Sequence, residues 1–184
     1  MSLQEVIDEV RRLENEFGPH AYISFTGGEP LLYLVFLKPL MAQLKAQGFK
    51  LYLETSGVLW QALRDVVSWC DCIAMDMKPA SVTREKNFYD EHRRFLEIAK
   101  SQETLIKVVV SKEIDSEEFD ALVKIAAETA PEIPFILQPI SSEDKEGHED
   151  PELMVLLSEL QRKASRHLSR VSIVPRFHKI LNIR

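Results

Sequence analysis

The sequence predicts an α/β fold with one parallel sheet of about six strands. Short apolar segments alternate with longer segments in which apolar residues recur at helical spacing. Most of the short segments end in a turn rich in glycine or polar residues, as strands do in βαβ units. Because such units join parallel strands through right-handed crossovers, the carboxyl ends of the strands are expected at one rim of the sheet, where ligands bind in folds of this kind.

The composition is that of one globular domain, predicted to span residues 1–184. Hydrophobic residues make up 45% and charged residues 28% of the 184 positions, which suffices for one core. The net charge of −6 provides no attraction to nucleic acid or to an anionic membrane surface. No leader-like segment opens the sequence, and no apolar run approaches the ~18 residues of a membrane span. We therefore expect a cytoplasmic protein whose partner is a small molecule or another protein.

The first half is predicted to contain a helix followed by three strands and two further helices. Ser2 and Glu5 match a capping box at the start of an amphipathic helix, which Gly18 and Pro19 end. Pro39 lies within the second predicted helix, so we expect a kink or a break there. The predicted strands lie at 21–25, 49–53 and 72–77, and the two further helices at 34–48 and 59–67.

The second half is predicted to continue this alternation. The predicted helices span 84–100, 116–129 and 151–167, and the predicted strands span 104–110, 134–138 and 171–174. Ser116 is expected to cap the second of these helices. The charged segment 143–150 is expected to be a solvated loop. Cys70 and Cys72 are too few for a disulfide framework, and we expect them to pack as small residues at the start of a strand.

A turn with paired glycines follows the first predicted strand. Gly27 and Gly28 allow positive φ and let backbone N–H groups approach a ligand. Pro30 favours an extended conformation for Glu29, whose carboxylate is then expected to point out of the strand end towards a cation. The motif alone also fits an ordinary strand-to-helix turn. Polar residues at the other strand ends favour a cleft, and they are Glu54, Thr55, Ser56, Asp76, Lys78, Gln138 and His178.

Lys107 lies within an apolar predicted strand, where an ammonium group is costly unless it is paired. We expect Lys107 to face inward and to contact a carboxylate or a ligand. Asp76 and Lys78 lie two residues apart on one strand and are expected to form a salt bridge with each other. Gln138 offers both a donor and an acceptor, which suits an amide or a purine-like edge. His178 lies in an apolar tail and is either a substrate contact or a structural histidine.

Four motifs, in their order along the chain, resemble those of the radical S-adenosylmethionine (SAM) enzymes. They are Thr26-Gly27-Gly28-Glu29-Pro30, Leu53-Glu54-Thr55-Ser56-Gly57, Leu137-Gln138-Pro139-Ile140-Ser141 and His178-Lys179-Ile180-Leu181-Asn182. The first motif is shared across that superfamily, and the last two are more particular to the 7-carboxy-7-deazaguanine synthase family, which the chain resembles most. The resemblance implies a partial (β/α) barrel that binds SAM. In the full-length family it also implies a [4Fe-4S] cluster and a reductant such as flavodoxin or ferredoxin.

The resemblance implies binding roles for individual residues and leaves the catalytic residue unassigned. The implied cofactor contacts are Thr26, Gly27, Gly28, Glu29, Pro30, Glu54, Thr55, Ser56 and Lys107. The implied contacts with a small-molecule substrate are Gln138 and His178. A carboxylate that faces the methionine ammonium group would form a charge-assisted hydrogen bond, which is stronger than a neutral one.

One motif of the family is missing from this sequence. The C-x-x-x-C-x-x-C loop that ligates the cluster would precede Ser2, and neither Cys70 nor Cys72 can replace it. We therefore expect no metal ligands in this chain, and a piece that lacks the first strand and the cluster loop. Loss of that strand would expose the edge of the strand at 21–25, so we expect the first helix or a second copy of the chain to cover it.

Three functions remain open on the sequence alone. The first is a fragment of a radical SAM enzyme similar to 7-carboxy-7-deazaguanine synthase, from the queuosine pathway. The second is an activating enzyme that makes a glycyl radical on a partner protein, since Asp76-Met77-Lys78 resembles a motif of pyruvate formate-lyase activating enzyme. The third is a module without a cluster that binds SAM or acts as a scaffold.

Overall fold

The computed structural model describes residues 1–140 and 150–174 of the chain. In these ranges six strands form one sheet, and every pair of neighbouring strands is parallel. The strands follow one another across the sheet in chain order, as β1 (Ile23–Phe25), β2 (Leu51–Thr55), β3 (Cys72–Met77), β4 (Glu103–Val110), β5 (Phe135–Pro139) and β6 (Val171–Ile173). The predicted α/β class with a parallel sheet of about six strands is therefore confirmed.

Helices connect the strands and precede the first of them. They are α1 (Leu3–Phe17), α2 (Leu34–Ala46), α3 (Trp60–Arg64), α4 (Ala80–Thr83), α5 (Tyr89–Ala99), α6 (Ser116–Thr129) and α7 (Pro151–Ala164). Two short 3₁₀ helices lie at Pro30–Tyr33 and Val67–Trp69. None of the helices in the described ranges combines the length and the apolar character that a membrane crossing requires.

The two faces of the sheet differ in chemistry. On the helical face, alternate strand residues such as Leu53, Met75 and Ile106 are fully buried and join the hydrophobic core. The ring of Phe119 in α6 packs edge-on against Phe135 of β5, at 6.4 Å between ring centres. The intervening residues form the polar face, which we define by Tyr52, Glu54, Asp76, Lys107 and Gln138. Consecutive parallel strands with right-handed crossovers place their helices on one side, which leaves the other side for this polar face.

Two predictions about helix starts were wrong, one because of a capping hydrogen bond and one because of a backbone conformation. The side chain of Asp115, and not that of Ser116, caps α6 by accepting hydrogen bonds from the N–H groups of Glu117 and Glu118. The helix predicted from residue 84 begins only at Tyr89. Arg84 has a φ of 62°, a left-handed conformation that ends α4 and interrupts the helical path.

Pro39 does not break α2 into two pieces, because α2 runs from Leu34 to Ala46 as one helix. A proline in a helix leaves the carbonyl four residues earlier without its partner. That carbonyl belongs to Val35, which is 95% exposed, so water can hydrogen-bond to it. β2 also extends two residues beyond its predicted end, and Glu54 and Thr55 therefore belong to a strand and not to a turn.

The amino-terminal helix has the predicted caps. Ser2 and Glu5 form both hydrogen bonds of a capping box, and Gly18 ends the helix with a φ of 86°. Ile7 is buried, and α1 packs against α2. β1 stands at one end of the strand order, so no strand among the described residues pairs with its outer edge.

Among the glycines that the structure describes, Gly57, at the turn that follows β2, has the least space. Its φ is 70°, and a Cβ atom added there would lie 2.6 Å from Cγ of the buried Met75. We expect Gly57→Ala to lower the free energy of unfolding by about 3 kcal/mol, from left-handed strain and overpacking together. Gly48→Ala is the matched control, because its φ is 89° but the added Cβ meets nothing within 4 Å. It should cost only about 1 kcal/mol. Urea unfolding measures both values, and equal losses would contradict the steric part of this explanation.

Candidate functional site

Polar side chains from four neighbouring strands meet near the carboxyl-terminal rim of the polar face. Thr26 follows β1, Glu54 lies near the end of β2, Asp76 near the end of β3, and Lys107 within β4. The hydroxyl of Thr26 donates to Oε2 of Glu54 over 3.4 Å. Gln138 lies on the same face of β5, beside β4. The rim thus combines hydroxyl, carboxylate, ammonium and amide groups.

Glu29 joins the ends of β1 and β2. Its Oε1 accepts hydrogen bonds from the N–H of Leu31 (3.1 Å) and the hydroxyl of Thr55 (2.8 Å). Its Oε2 accepts from the N–H of Ser56 (2.8 Å) and from the Ser56 hydroxyl (2.5 Å). Hydrogen bonds to a charged acceptor are among the stronger ones in proteins. We call this arrangement the Glu29 junction.

The backbone around Glu29 has the conformation that its neighbours predict. Gly27 and Gly28 have φ values of 84° and 32°, and Glu29 before Pro30 is extended at φ −129° and ψ 105°. The expectation that the Glu29 carboxylate points freely out of the strand end was wrong. It turns towards the end of β2, because the donors of Thr55 and Ser56 converge on it there.

Lys107 lies at the centre of the polar face, between Glu54 and Asp76. Its ammonium forms an ion pair and hydrogen bond with Glu54, and it lies 3.0 Å from Oδ1 of Asp76. The prediction that Lys107 faces inward and contacts a carboxylate is confirmed. The predicted salt bridge between Asp76 and Lys78 is wrong, because the β3–β4 register places Lys107 opposite Asp76. Lys78 follows the strand end and is exposed.

The carboxylates keep Lys107 charged. Burial alone would lower the pKa of Lys107, but its hydrogen bond with Glu54 and the nearby charge of Asp76 outweigh that effect and raise the pKa above its ordinary value. Burial raises the pKa of Asp76, and the charge of Lys107 offsets only part of the shift. The buried Oδ1 of Asp76 lies beside the ammonium without a hydrogen bond of good geometry. It therefore has unused capacity to accept one.

The two cysteines are poorly suited to metal binding. Cys70 and Cys72 are 2% and 6% exposed, and burial raises the pKa of Cys70 to about 12. A thiol with a raised pKa is a weak source of the thiolate that metals require. In the described ranges, no three His, Cys, Asp or Glu side chains are grouped in a way that could hold a metal ion.

Comparison with curated proteins finds relatives along nearly the whole chain, although no family model matches it. The chain is 38% identical over 164 residues to 7-carboxy-7-deazaguanine synthase of Geobacter sulfurreducens, covering 89% of this chain and 64% of that protein. It is 31% identical over 190 residues to the enzyme of the same name from Thermococcus kodakarensis, covering 99% of this chain and 70% of that protein. This chain belongs to the 7-carboxy-7-deazaguanine synthase family. It spans about two thirds of the length of these relatives.

Solved structures share the fold of this member of the 7-carboxy-7-deazaguanine synthase family. A domain of pyruvate-formate lyase-activating enzyme from Bacteroides vulgatus matches with a TM-score of 0.62 and 18% identity, over 84% of this chain and 99% of that one. Streptococcus suis SuiB bound to S-adenosylmethionine matches with a TM-score of 0.65 and 14% identity, over 95% of this chain and 42% of that one. At these identities the matches show the fold alone. The sequence resemblance to the 7-carboxy-7-deazaguanine synthase family of radical SAM enzymes is confirmed by the curated relatives.

The structure brings together most of the site residues that the sequence resemblance implied. Those at the Glu29 junction and the polar face are Thr26, Gly27, Gly28, Glu29, Pro30, Glu54, Thr55, Ser56 and Lys107. Gln138 stands on the neighbouring strand of the same face. His178 lies outside the described residues, as does Ser141 of the third motif.

Sequence reasoning missed His92, a buried polar group on α5. It is 2% exposed, and burial lowers the pKa of His92 to about 4. A signal was present in the sequence. His92 precedes Phe95, Leu96 and Ala99 by three, four and seven residues, which is the spacing of one apolar helix face. All four are buried.

The Glu29 junction predicts a measurable coupling between Glu29 and Ser56. We expect Glu29→Gln to lower the free energy of unfolding by about 2 kcal/mol, because the amide loses the charge and turns an N–H₂ group towards donors. In a double-mutant cycle with Ser56→Ala, the coupling should be at least about 1 kcal/mol. Glu159→Gln on the exposed surface of α7 is the control and should stay within about 0.5 kcal/mol. Purely additive losses at Glu29 and Ser56 would argue against the junction.

Proposed function

We propose that this chain forms the SAM-binding part of a radical SAM enzyme of the 7-carboxy-7-deazaguanine synthase type. In this proposal the enzyme uses reductive cleavage of SAM to start radical chemistry on a small molecule. One observation carries the proposal. The Glu29 junction lies next to the ion-paired group of Lys107, Glu54 and Asp76, at one rim of the sheet. The identities of 38% and 31% to enzymes of that name support it.

The donor set of the rim fits SAM. SAM carries an ammonium group, a carboxylate, a sulfonium and a ribose with two hydroxyls. The carboxylates of Glu54 and Asp76 suit its cationic groups, and the Lys107 ammonium suits its carboxylate. The backbone at Gly27 and Gly28, open on the side where a Cβ would lie, can accept a close approach of the methionine part. When bound, SAM supplies the reactive adenosyl group.

The residues of this chain have positioning roles in the proposal. The Glu29 junction holds the end of β1 against the end of β2, so the N–H groups of the glycine turn keep a constant position relative to Lys107. A preorganised set of charges avoids the cost of ordering them when the ligand binds. Gln138 and His178 are proposed as substrate contacts, with the amide of Gln138 reading a purine-like edge.

An iron–sulfur cluster does not fit the residues described. Cys70 and Cys72 are buried, and the described ranges hold no cluster of metal-ligating side chains. We propose that a further segment supplies the cluster, while residues 1–184 act as one domain. The remaining third of the relatives' length leaves room for such a segment. Flavodoxin or ferredoxin is the proposed reductant, in a cytoplasmic setting.

The activating-enzyme alternative is not better supported. The relatives from Geobacter sulfurreducens and Thermococcus kodakarensis both carry the synthase name. The structural match to a domain of pyruvate-formate lyase-activating enzyme has 18% identity and shows the fold alone.

Titration calorimetry with SAM tests the proposed function. We expect saturable binding of SAM to the chain, and at least tenfold weaker binding by Lys107→Met, because a charge-assisted hydrogen bond contributes about 1.5–3 kcal/mol. Lys112→Met is the control, since Lys112 pairs with Asp150 and Glu152 away from the rim. Circular dichroism should show both variants folded. Absence of saturable binding in the unmodified chain, or equal binding by the two variants, would contradict the proposal.

We also propose that two copies of the chain associate through the outer edge of β1, with which no strand of residues 1–140 and 150–174 pairs. Sedimentation equilibrium should show a dimer, and introduction of a proline by Ser24→Pro on β1 should shift the equilibrium towards monomer. A monomer at every concentration of the unmodified chain would refute association.

A further inference from the structure

We propose that Ala74 is a positioning residue for Lys107, because its small side chain leaves the space in which Lys107 reaches Glu54. The inference rests on the proposed function, in which Lys107 binds the carboxylate of SAM. Ala74 lies in β3, two residues before Asp76, and the alternation of side chains along a strand places both on the polar face. The methyl group of Ala74 offers nothing to a polar ligand, so its effect on the site passes through Lys107.

The register of three strands places Ala74 beside the ion pair between Lys107 and Glu54. Glu54 pairs with Ala74 across β2 and β3, and Asp76 pairs with Lys107 across β3 and β4. Because β3 lies between β2 and β4, the backbones of those two strands are about 10 Å apart. The side chains of Lys107 and Glu54 nevertheless form an ion pair. They therefore cross over β3, at the level between Ala74 and Asp76.

The two residues of β3 that flank this crossing differ in size. Asp76 extends a carboxylate to 3.0 Å from the Lys107 ammonium, whereas Ala74 extends only a methyl group. Ala74 is 0% exposed, yet it does not belong to the hydrophobic core on the helical face. Longer side chains of the polar face therefore cover it. A larger residue at position 74 would fill the volume in which Lys107 and Glu54 meet.

The position of the ammonium decides what Lys107 can donate to a ligand. An ammonium group carries three N–H donors. Glu54 accepts one of them and Asp76 lies on a second side, so the third remains for a carboxylate. If a larger residue at position 74 separated Lys107 from Glu54, the ammonium would lose this fixed direction. SAM would then bind more weakly, although every residue that contacts it would be unchanged.

Valine and glycine at position 74 separate the steric effect from a general loss of structure. Valine favours strands, so Ala74→Val suits the backbone of β3 but fills the crossing. We expect Ala74→Val to bind SAM about tenfold more weakly, and Ala74→Gly, which keeps the space, to stay within about threefold of the unmodified chain. Ala164→Val is the control, because Ala164 is equally buried but lies at the end of α7. Calorimetry measures the affinities, and circular dichroism should show each variant folded.

A double-mutant cycle tests whether the effect passes through Lys107. In the Lys107→Met background, Ala74→Val should change the SAM affinity by less than about threefold, because no ammonium remains to be displaced. An equal loss of affinity in both backgrounds would overturn the positioning role while the proposed function stands. Full SAM affinity of Ala74→Val in the otherwise unmodified chain would do the same.

A titration of Lys107, followed by NMR of its side chain, needs no SAM. We expect Ala74→Val to lower the pKa of Lys107, because the ammonium loses its carboxylate partner Glu54, and Ala74→Gly to leave it unchanged. An unchanged pKa of Lys107 in Ala74→Val would overturn the inference. Failure of the unmodified chain to bind SAM would overturn the proposed function, and the titration would still decide whether Ala74 positions Lys107.

Discussion

The architecture depends on one topological constraint, that six parallel strands follow one another across the sheet in chain order. Each connection must return to the same end of the sheet, and right-handed crossovers place the connecting helices on one side. That side buries apolar residues of the four central strands, including Leu53, Met75 and Ile106. The opposite side does not pack against the connecting helices, so its strand residues need not be apolar. The charged groups of the strands lie on that side.

Lys107 shows how charge is accommodated on that side. A lysine in the middle of a parallel sheet is stable only if carboxylates meet it, and the register supplies Asp76 from β3 and Glu54 from β2. The ammonium thereby couples three strands. The Glu29 junction couples the end of β1 to the end of β2 through Thr55 and Ser56. A site built from both clusters is held by rigid strands, which favours a constant geometry for a bound ligand.

Each side of the sheet holds one buried polar atom without a hydrogen-bond partner among the described residues. On the helical side it is Nδ1 of His92, on α5, whose side chain is 2% exposed. On the polar side it is Oδ1 of Asp76, which lies beside the Lys107 ammonium and has capacity to accept a further hydrogen bond.

The sequence by itself determined the α/β class, the order of helices and strands, the first helix with its capping box, and the strand-end motifs. These features depend on residues close together in the chain, whose periodicity and turn chemistry act locally. Only the tertiary structure decided that Glu29 turns towards Thr55 and Ser56, and that Asp76 pairs with Lys107 and not with Lys78. Strand register and helix docking bring these groups together, and neither can be read from local spacing, because a shift of one residue in register would place Lys107 on the other face.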